Sequence, residues 1–529
     1  MTAIPQRASA QDWLAVFAGA LGALIATLDI SIVNSALPQI QGEIGATGTE
    51  GTWIATGYLV SEVVMIPLSA WLSRMLGMRT LLLSCSSLFT VFSVLCGFSN
   101  SLTLMIIGRV GQGFFGGALI PTAQTIVRTR LPPQQMPIGM TIFGLIVLLG
   151  PLLGPVAGGW LTEHWSWEWC FFINIPVAIA LGILLLTAMP HEQPKLDELA
   201  QADWFGIAGL TVGLSSLTVV LEEGQREQWF QSNLIIGLSL SSFIGFLVLA
   251  YAQLTSPKPV IKLGLLKNRT YASVIVIIVS MGMVLYDILY VLPQFLGIVA
   301  GYNAEQSGWI LALSGLPAFL MMPLLPRIIG FRDPRIVIFC GLVCFAVSCF
   351  LDIHLTAQSG GGDFVVSQLL RGVGQMLAFM PLNQLSVGSV SREDTADAAG
   401  FFNMARNLGG SIGLALQGVF IDRRIEMHAD SIRESVTANS TLLQERLTGQ
   451  AAFFAERSGD LAQGNQQAIG QLALQIHQQA LVMTYADCFW ILGVGLIVLM
   501  PMVMILRPTA PRGAAPMAAA RRRQTASAT

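Results

Sequence analysis

The sequence predicts an all-α polytopic membrane protein: two six-helix halves plus two inserted helices, fourteen transmembrane helices in all. Three observations carry this. Of the 529 residues, 53% are hydrophobic and only 11% charged, against about 25% charged in an ordinary soluble domain. The apolar residues fall into fourteen runs, each near the roughly 20 residues that cross a bilayer. One short pattern, R-x-x-G-x-R, occurs twice: as Arg74, Gly77 and Arg79, and again as Arg327, Gly330 and Arg332.

The runs begin near Trp13, Trp53, Thr80, Leu102, Pro137, Trp169, Asp203, Leu234, Tyr271, Glu305, Arg335, Phe364, Ala398 and Leu481. The first is too long for the apolar region of a cleavable signal and lacks a small-residue cleavage site, so it reads as an uncleaved span. Lys and Arg set the orientation. With the N-terminus inside, the cytoplasmic loops collect cations from Arg7 to Arg392 and the tail arginines, while the short outer loops hold only Arg226. Both termini are then cytoplasmic. The two R-x-x-G-x-R loops fall after spans 2 and 10, the same place in each half. Parallel six-helix repeats of this kind belong to one large transporter architecture.

The expected organisation is a cytoplasmic N-terminus (1–12), an N-terminal bundle (13–189) and a cytoplasmic linker (190–202). Two inserted helices (203–254) follow, then a C-terminal bundle (271–506) with a periplasmic insertion at 423–480. A cytoplasmic tail (507–529), rich in Ala, Pro and Arg, reads as disordered and suited to anionic lipid. The insertion is rich in Gln, Ala, Glu and Leu, good helix formers that suggest a helical hairpin; the alternatives are a solvated loop or a docking surface.

Several chemistries are excluded. The net charge of −2 offers no basic field for nucleic acid. The seven cysteines all lie in apolar runs without metal-ligand spacing, so no metal is expected. None of the four lysines follows a glycine, so there is no phosphate-binding Gly-Lys pair and no internal ATP site. No cofactor is expected; the energy source would be a proton gradient.

Ionisable groups within spans are costly, and each is a functional candidate. Asp29 lies about 24 Å from the inner edge of span 1 at 1.5 Å per residue. Glu62 in span 2, Arg109 in span 4, Asp287 in span 9 and Arg371 in span 12 lie in the middle and outer half as well. Their depths suggest one polar cavity. A carboxylate there is balanced between desolvation, which favours its neutral form, and a nearby arginine, which favours its charged form. Exposed alternately to two aqueous sides, it can carry a proton. Asp29, Glu62, Arg109 and Asp287 are therefore the proton-coupling candidates; the alternative is a buried Asp–Arg pair tying helices together. Arg406 and Asp487 lie nearer span ends and read as structural. Asn34, a turn and a little beyond Asp29, would share its cavity, as would Gln112 beside Arg109. Tyr58, Tyr286, Tyr290, Phe379 and Arg371 complete the expected substrate cavity.

Span 5 contains Gly150, Pro151, Gly154, Pro155, Gly158 and Gly159. Glycines every four residues stack on one helix face and allow close helix packing, and the prolines each remove a helix hydrogen bond. The expectation is that this face packs against the second half and, with Gly409–Gly413 in span 13, slides and seals between inward- and outward-open states.

These residues together resemble the fourteen-span drug:proton antiporters of the major facilitator superfamily, the EmrB and QacA type. The resemblance covers the whole chain less its tail. It rests on Leu28–Pro38 in span 1, on Arg109, Gln112 and Gly113 in span 4, and on Gly150–Gly159 in span 5. Trp165–Val177 before span 6 and the EmrB-like stretch Leu221–Phe230 extend it. The resemblance implies the major facilitator fold and proton-driven efflux of small hydrophobic or amphipathic compounds across a bacterial inner membrane. It implies a periplasmic membrane-fusion adaptor and an outer-membrane channel as partners. Export of one metabolite, such as a fatty acid, siderophore or sugar, is the alternative. One departure is that the family's acidic residue before the first loop arginine is Ser73 here, with Ser69 at a glycine position. The charge relay between the halves is therefore expected to be weakened at this end, with the charge supplied elsewhere or gating resting more on helix packing.

Overall fold

The computed structural model describes residues 7–195, 197–200, 202–321, 324, 325, 328, 333–436 and 441–506. A helix lies on each expected span. In the first half these are α1 (Ala10–Ile44), α2 (Trp53–Leu76), α3 (Met78–Gly97), α4 (Leu102–Arg130), α5 (Met136–His164) and α6 (Trp169–Ala188). The inserted pair is α7 (Trp204–Glu223) and α8 (Asn233–Thr255). The second half holds α9 (Arg269–Ile298), α10 (Ala304–Ala312), α11 (Pro334–Leu351), α12 (Val365–Gly388), α13 (Thr395–Ser435) and α14 (Leu461–Val503). Among the described residues, eleven of these are long and apolar enough to cross a membrane. The other three are α10, α12 and α13. α10 is short, followed by a 3-10 turn at Leu313–Gly315 and a six-residue helix at Leu316–Met321. α12 and α13 bury polar side chains, among them Gln368, Arg371 and Asn383, and Asp397, Asn403 and Asn407.

The helices build two apolar cores. One gathers Ala15–Ala26 of α1 with side chains of α2 to α6, such as Phe89, Ile126, Phe143 and Leu181. The other gathers Tyr271–Leu296 of α9 with α11 to α14, including Phe345, Phe402 and Phe489. The end of the bundle that carries Arg74 and Asp397 is called here the terminal face; the opposite one is the far face.

The glycine stripe does not face the second half. A Cβ at Gly150 would meet Thr27, one at Gly154 would meet Ser31, and one at Gly158 would meet Ser35, all on α1. The stripe therefore lets α1 and α5 close within the first half, where bare backbones pack at the shortest distance. Gly159 has open space around it, and Pro151 is exposed. The link to the second half comes instead from Pro155, whose Cβ lies 3.1 Å from where a Cβ of Gly308 in α10 would stand. Gly409–Gly413 repeats this arrangement: Gly409 lies against Val279 of α9, and Gly413 against Met283. In each half the fifth helix packs its glycines on the first.

Of the two alternatives left open at Ser73, the structure shows the charge supplied from elsewhere. Ser69 and Ser73 turn their hydroxyls to carbonyls of their own helix, Ile66 and Ala70. The acid comes from the other half: both carboxylate oxygens of Asp397 in α13 accept from Arg74, at 2.7 and 2.8 Å. Lys262, from the segment before α9, adds bonds of 2.6 Å to Asp394 and 3.0 Å to Asp397. These bonds, with the Ser391 hydroxyl, hold the Asp394 carboxyl below the usual carboxylate range. Deeper, Asn403 of α13 donates to Gln124 of α4 at 2.8 Å. Gly77 has φ +80°, a backbone that side chains rarely adopt, and Arg79 donates to the Met189 carbonyl at 2.8 Å, fixing the loop to the end of α6. Arg327, Gly330 and Arg332 lie outside the described residues, as does the tail 507–529.

Beyond the far face α13 continues to Ser435, and the helix Thr441–Ser458 packs on the first turns of α14, where Gly464 lies against Ala451 and Ala455. Asp487 of α14 fastens this extension to α13 through Arg424 at 2.9 Å and His428 at 2.7 Å.

Two outcomes follow. Gly154→Leu should lower folded yield and thermal stability in detergent, because it wedges α1 from α5; wild-type stability with transport lost would instead put the stripe at a moving surface. Arg74→Asp should cut transport at least tenfold, and the exchange Arg74→Asp with Asp397→Arg should recover part of it; no recovery would deny the cross-half pair its role.

Candidate functional site

The five intramembrane charges do not share one cavity. Asp29 and Arg109 form an ion pair at 2.5 Å in the first half, at 0% and 1% side-chain exposure. Arg109 is held by the Ile54 carbonyl of α2 at 3.1 Å and by Gln112 at 3.1 Å, and lies 4.4 Å above the Tyr58 ring. Asp29 Oδ1 accepts from Gln112 at 2.9 Å and from Asn174 of α6 at 2.8 Å. Asn174 also donates to Ser93 of α3, which in turn donates to the Phe171 carbonyl. Every side chain here belongs to the first half. An isolated charge in a dry helix bundle costs several kcal/mol; these donors offset that cost for Asp29, and the group braces α1, α2, α4 and α6 against one another. Tyr58 and Gln112, expected in a substrate cavity, are part of that brace. Asn34 is exposed and has none of Asp29's partners.

The second half has its own ion pair, built differently. Arg371 of α12 donates to Asp352, just past the end of α11, at 2.5 Å. Arg371 thus does not neutralise Asp287, the carboxylate whose place in α9 corresponds to that of Asp29 in α1. Asp287 is 4% exposed, and its Oδ1 has no hydrogen-bond partner among the described residues. It lies against bare Gly413 of α13 and near Cys488 of α14.

Glu62 occupies a third position. It is 2% exposed on α2, with no ion-pair partner among the described residues. The cations that act on it are Arg406, from the opposite half, and Arg109. Arg406 donates twice to its neighbour Asn407, at 3.1 and 3.2 Å, and lies 5.8 Å above the Phe379 ring. Tyr286 donates to the same Asn407 oxygen at 3.2 Å. Tyr290, one turn on, is 43% exposed. Tyr286, Phe379 and Arg406 thus gather around Asn407 in the second half, and Arg406 acts on Glu62 across the contact of α2 with α13. Placing Arg406 at this junction corrects its reading as a residue near a span end.

Sequence reasoning missed Asn174, Asp352 and Asn407, and gave Arg406 only a structural place. Asn174 and Asp352 had a visible signal: one is a lone amide inside an apolar run, the other an acid at the end of one. Arg406 and Asn407 gain their place only from the packing of α13 across to α2.

Residues 19–414 match the Major Facilitator Superfamily. The chain is 32% identical over 481 residues to the Colistin resistance protein EmrB of Acinetobacter baumannii, covering 91% of this chain and 93% of that one. It is 30% identical over 502 residues to the Multidrug export protein EmrB of Escherichia coli K12 (94% and 96%), and 28% identical over 505 residues to the Fatty acid resistance protein FarB of Neisseria gonorrhoeae (95% and 97%). Among solved structures, the human organic anion transporter MFSD10 superposes with a TM-score of 0.61 at 14% identity, covering 93% of this chain and 99% of its own. The proton:xylose symporter XylE does so with a TM-score of 0.61 at 12% identity (94% and 96%). The two share the fold with this chain. A bundle of apolar helices with a buried Asp–Arg pair in each half, matched along nearly its whole length by transporters rather than enzymes, belongs to the major facilitator superfamily, as an EmrB-like drug exporter.

Proposed function

We propose that the chain exchanges protons for hydrophobic or amphipathic compounds across a bacterial inner membrane, both termini lying in the cytoplasm. The observation that carries this is Glu62: a buried carboxylate with no ion pair among the described residues, on α2 where it meets α13, under the influence of Arg406 from the other side. As an anion Glu62 attracts Arg406 across the junction; once protonated it loses that attraction. Taking a proton from one side and releasing it to the other would therefore bias the halves between two arrangements, which is what alternating access requires. The Asp29–Arg109 brace keeps α1, α4 and α6 rigid while this happens. No bound cofactor is involved; the proton gradient supplies the energy. Phe379 and Tyr286, on the Arg406 side of this junction, offer aromatic surface for an apolar substrate.

The helices beyond the far face support a second part of the reading. A two-helix projection of Thr441–Ser458 on α14 extends past the bundle, and a periplasmic adaptor that leads to an outer-membrane channel would dock there. A narrower substrate reading is favoured by one relative, whose printed name refers to fatty acid resistance. Transport assays with a fatty acid beside unrelated amphipathic drugs separate the two: a profile limited to the fatty acid favours the narrow reading.

In proteoliposomes, Glu62→Gln should abolish substrate uptake driven by a pH gradient while leaving binding measurable. Wild-type gradient-driven uptake by this variant would remove Glu62 from the mechanism. Asp29→Asn should act on stability as well, since breaking a buried ion pair costs roughly 3–5 kcal/mol, read as a lower Tm in detergent. Replacing Thr441–Ser458 by a flexible linker should leave uptake in liposomes intact and remove whole-cell resistance; normal resistance would exclude the docking role.

A further inference from the structure

The far end of the inserted helix α7 runs into four polar side chains that alternate in what they hold. Glu223, 3% exposed, accepts from Thr56 of α2 at 2.7 Å and from Thr52 just before α2 at 3.4 Å. Arg226 donates to Glu223 at 2.8 Å and to the Thr52 hydroxyl. Both residues face the first half. Glu222 accepts from Ser411 of α13 at 2.7 Å, and Gln225 donates to Asp422 of α13 at 2.8 Å. Those two face the second half. Residues 222 and 225 thus lie on one side of the strand of contacts, and 223 and 226 on the other.

Two further features fit this arrangement. The surface of α13 is bare where Gln225 crosses it, since a Cβ at Gly418 would collide with the Gln225 amide. The chain then leaves through Gln228 and Trp229, with φ of 56° and 54°. Two consecutive side-chain-bearing residues in the left-handed region are costly, and such backbone persists where surroundings enforce it. The Trp229 amide donates to the Gly224 carbonyl at 2.6 Å, closing the turn onto the end of α7.

At the terminal face the halves are joined by Arg74, Lys262 and Asp397. At the far face, among the described residues, no ion pair joins them directly. We propose that Glu222, Glu223, Gln225 and Arg226 form a clasp that ties α2 to α13 at the far face and sets how far the halves part there. The clasp travels with the first half. Its hold on α2 is a buried carboxylate with two hydroxyls and a guanidinium, whereas its hold on α13 is two single hydrogen bonds, one of them exposed. Opening therefore breaks Glu222–Ser411 and Gln225–Asp422 and keeps Glu223 in place. The inserted pair is then a working part of the conformational cycle. This rests on the alternating-access reading above only for its consequence in transport.

The test uses the full chain in liposomes, in a Cys340→Ser background, with spin labels at Glu50 and Met427 on the two sides of the clasp. Glu222→Gln with Gln225→Ala should raise the population of the longer distance about fivefold, the change expected for one lost hydrogen bond. Glu223→Gln with Arg226→Ala should broaden the distribution as α7 loses its place on α2. In unlabelled protein, a disulfide between Gln225→Cys and Asp422→Cys should cut transport at least tenfold, with recovery on reduction. Distances unchanged in the folded Glu222→Gln, Gln225→Ala variant, or full transport through the oxidised disulfide, would overturn the clasp. The distances need no proton gradient, so a wild-type protein that ignores the gradient would reject the coupling reading and leave this inference standing.

Discussion

The first half is organised around the neutralisation of one carboxylate. Asp29 sits where water cannot solvate it, so Arg109, Gln112 and Asn174 must reach it from α4 and α6. Arg109 in turn must satisfy its remaining donors, and takes the Ile54 carbonyl and the Tyr58 ring from α2. Asn174 draws in Ser93 of α3. Four neighbouring helices are thereby fixed around α1 at one depth, and α5 closes the group through its glycine stripe. In a bilayer, where burying more hydrocarbon between helices yields little, such polar ties and close backbone contacts are what hold a bundle together.

That rigidity decides where movement can occur. Each half packs its fifth helix on its first through glycines, and each contains its own buried Asp–Arg pair. The junction between halves is different in character. It carries ion pairs at the terminal face, half-buried aromatic rings and an unpaired carboxylate in the middle, and hydrogen bonds through α7 at the far face. Contacts of these kinds can be broken and re-made in water or by protonation, whereas the glycine seams cannot part without opening voids. The division between tightly packed halves and a junction of breakable contacts is what the proposed motion as two bodies requires.

The halves are also unequal. Asp352 takes Arg371 away from α9, so Asp287 lacks the cation that its counterpart Asp29 has. The inserted pair breaks the symmetry again, since α7 lies against α2 and α13. A sequence repeat can therefore mark two like bundles without making their charged groups equivalent.

Composition, the positions of apolar runs and the paired R-x-x-G-x-R loops determined the helical membrane class, the two halves and the inserted pair, because spanning a bilayer imposes a length and an apolarity that appear residue by residue. The candidate charges were legible for the same reason: a lone Asp or Arg in an apolar run stands out. Which charges meet was not legible. Asp29 and Arg109 are eighty residues apart, and Asp397 answers Arg74 from the other half of the chain. The face toward which the Gly150–Gly158 stripe turns depends on the rotation of α5 in its bundle, which local spacing does not contain. Partner choice, the asymmetry of Asp287 and the central place of Arg406 were settled only when the helices packed, since each depends on a distance between segments far apart in sequence.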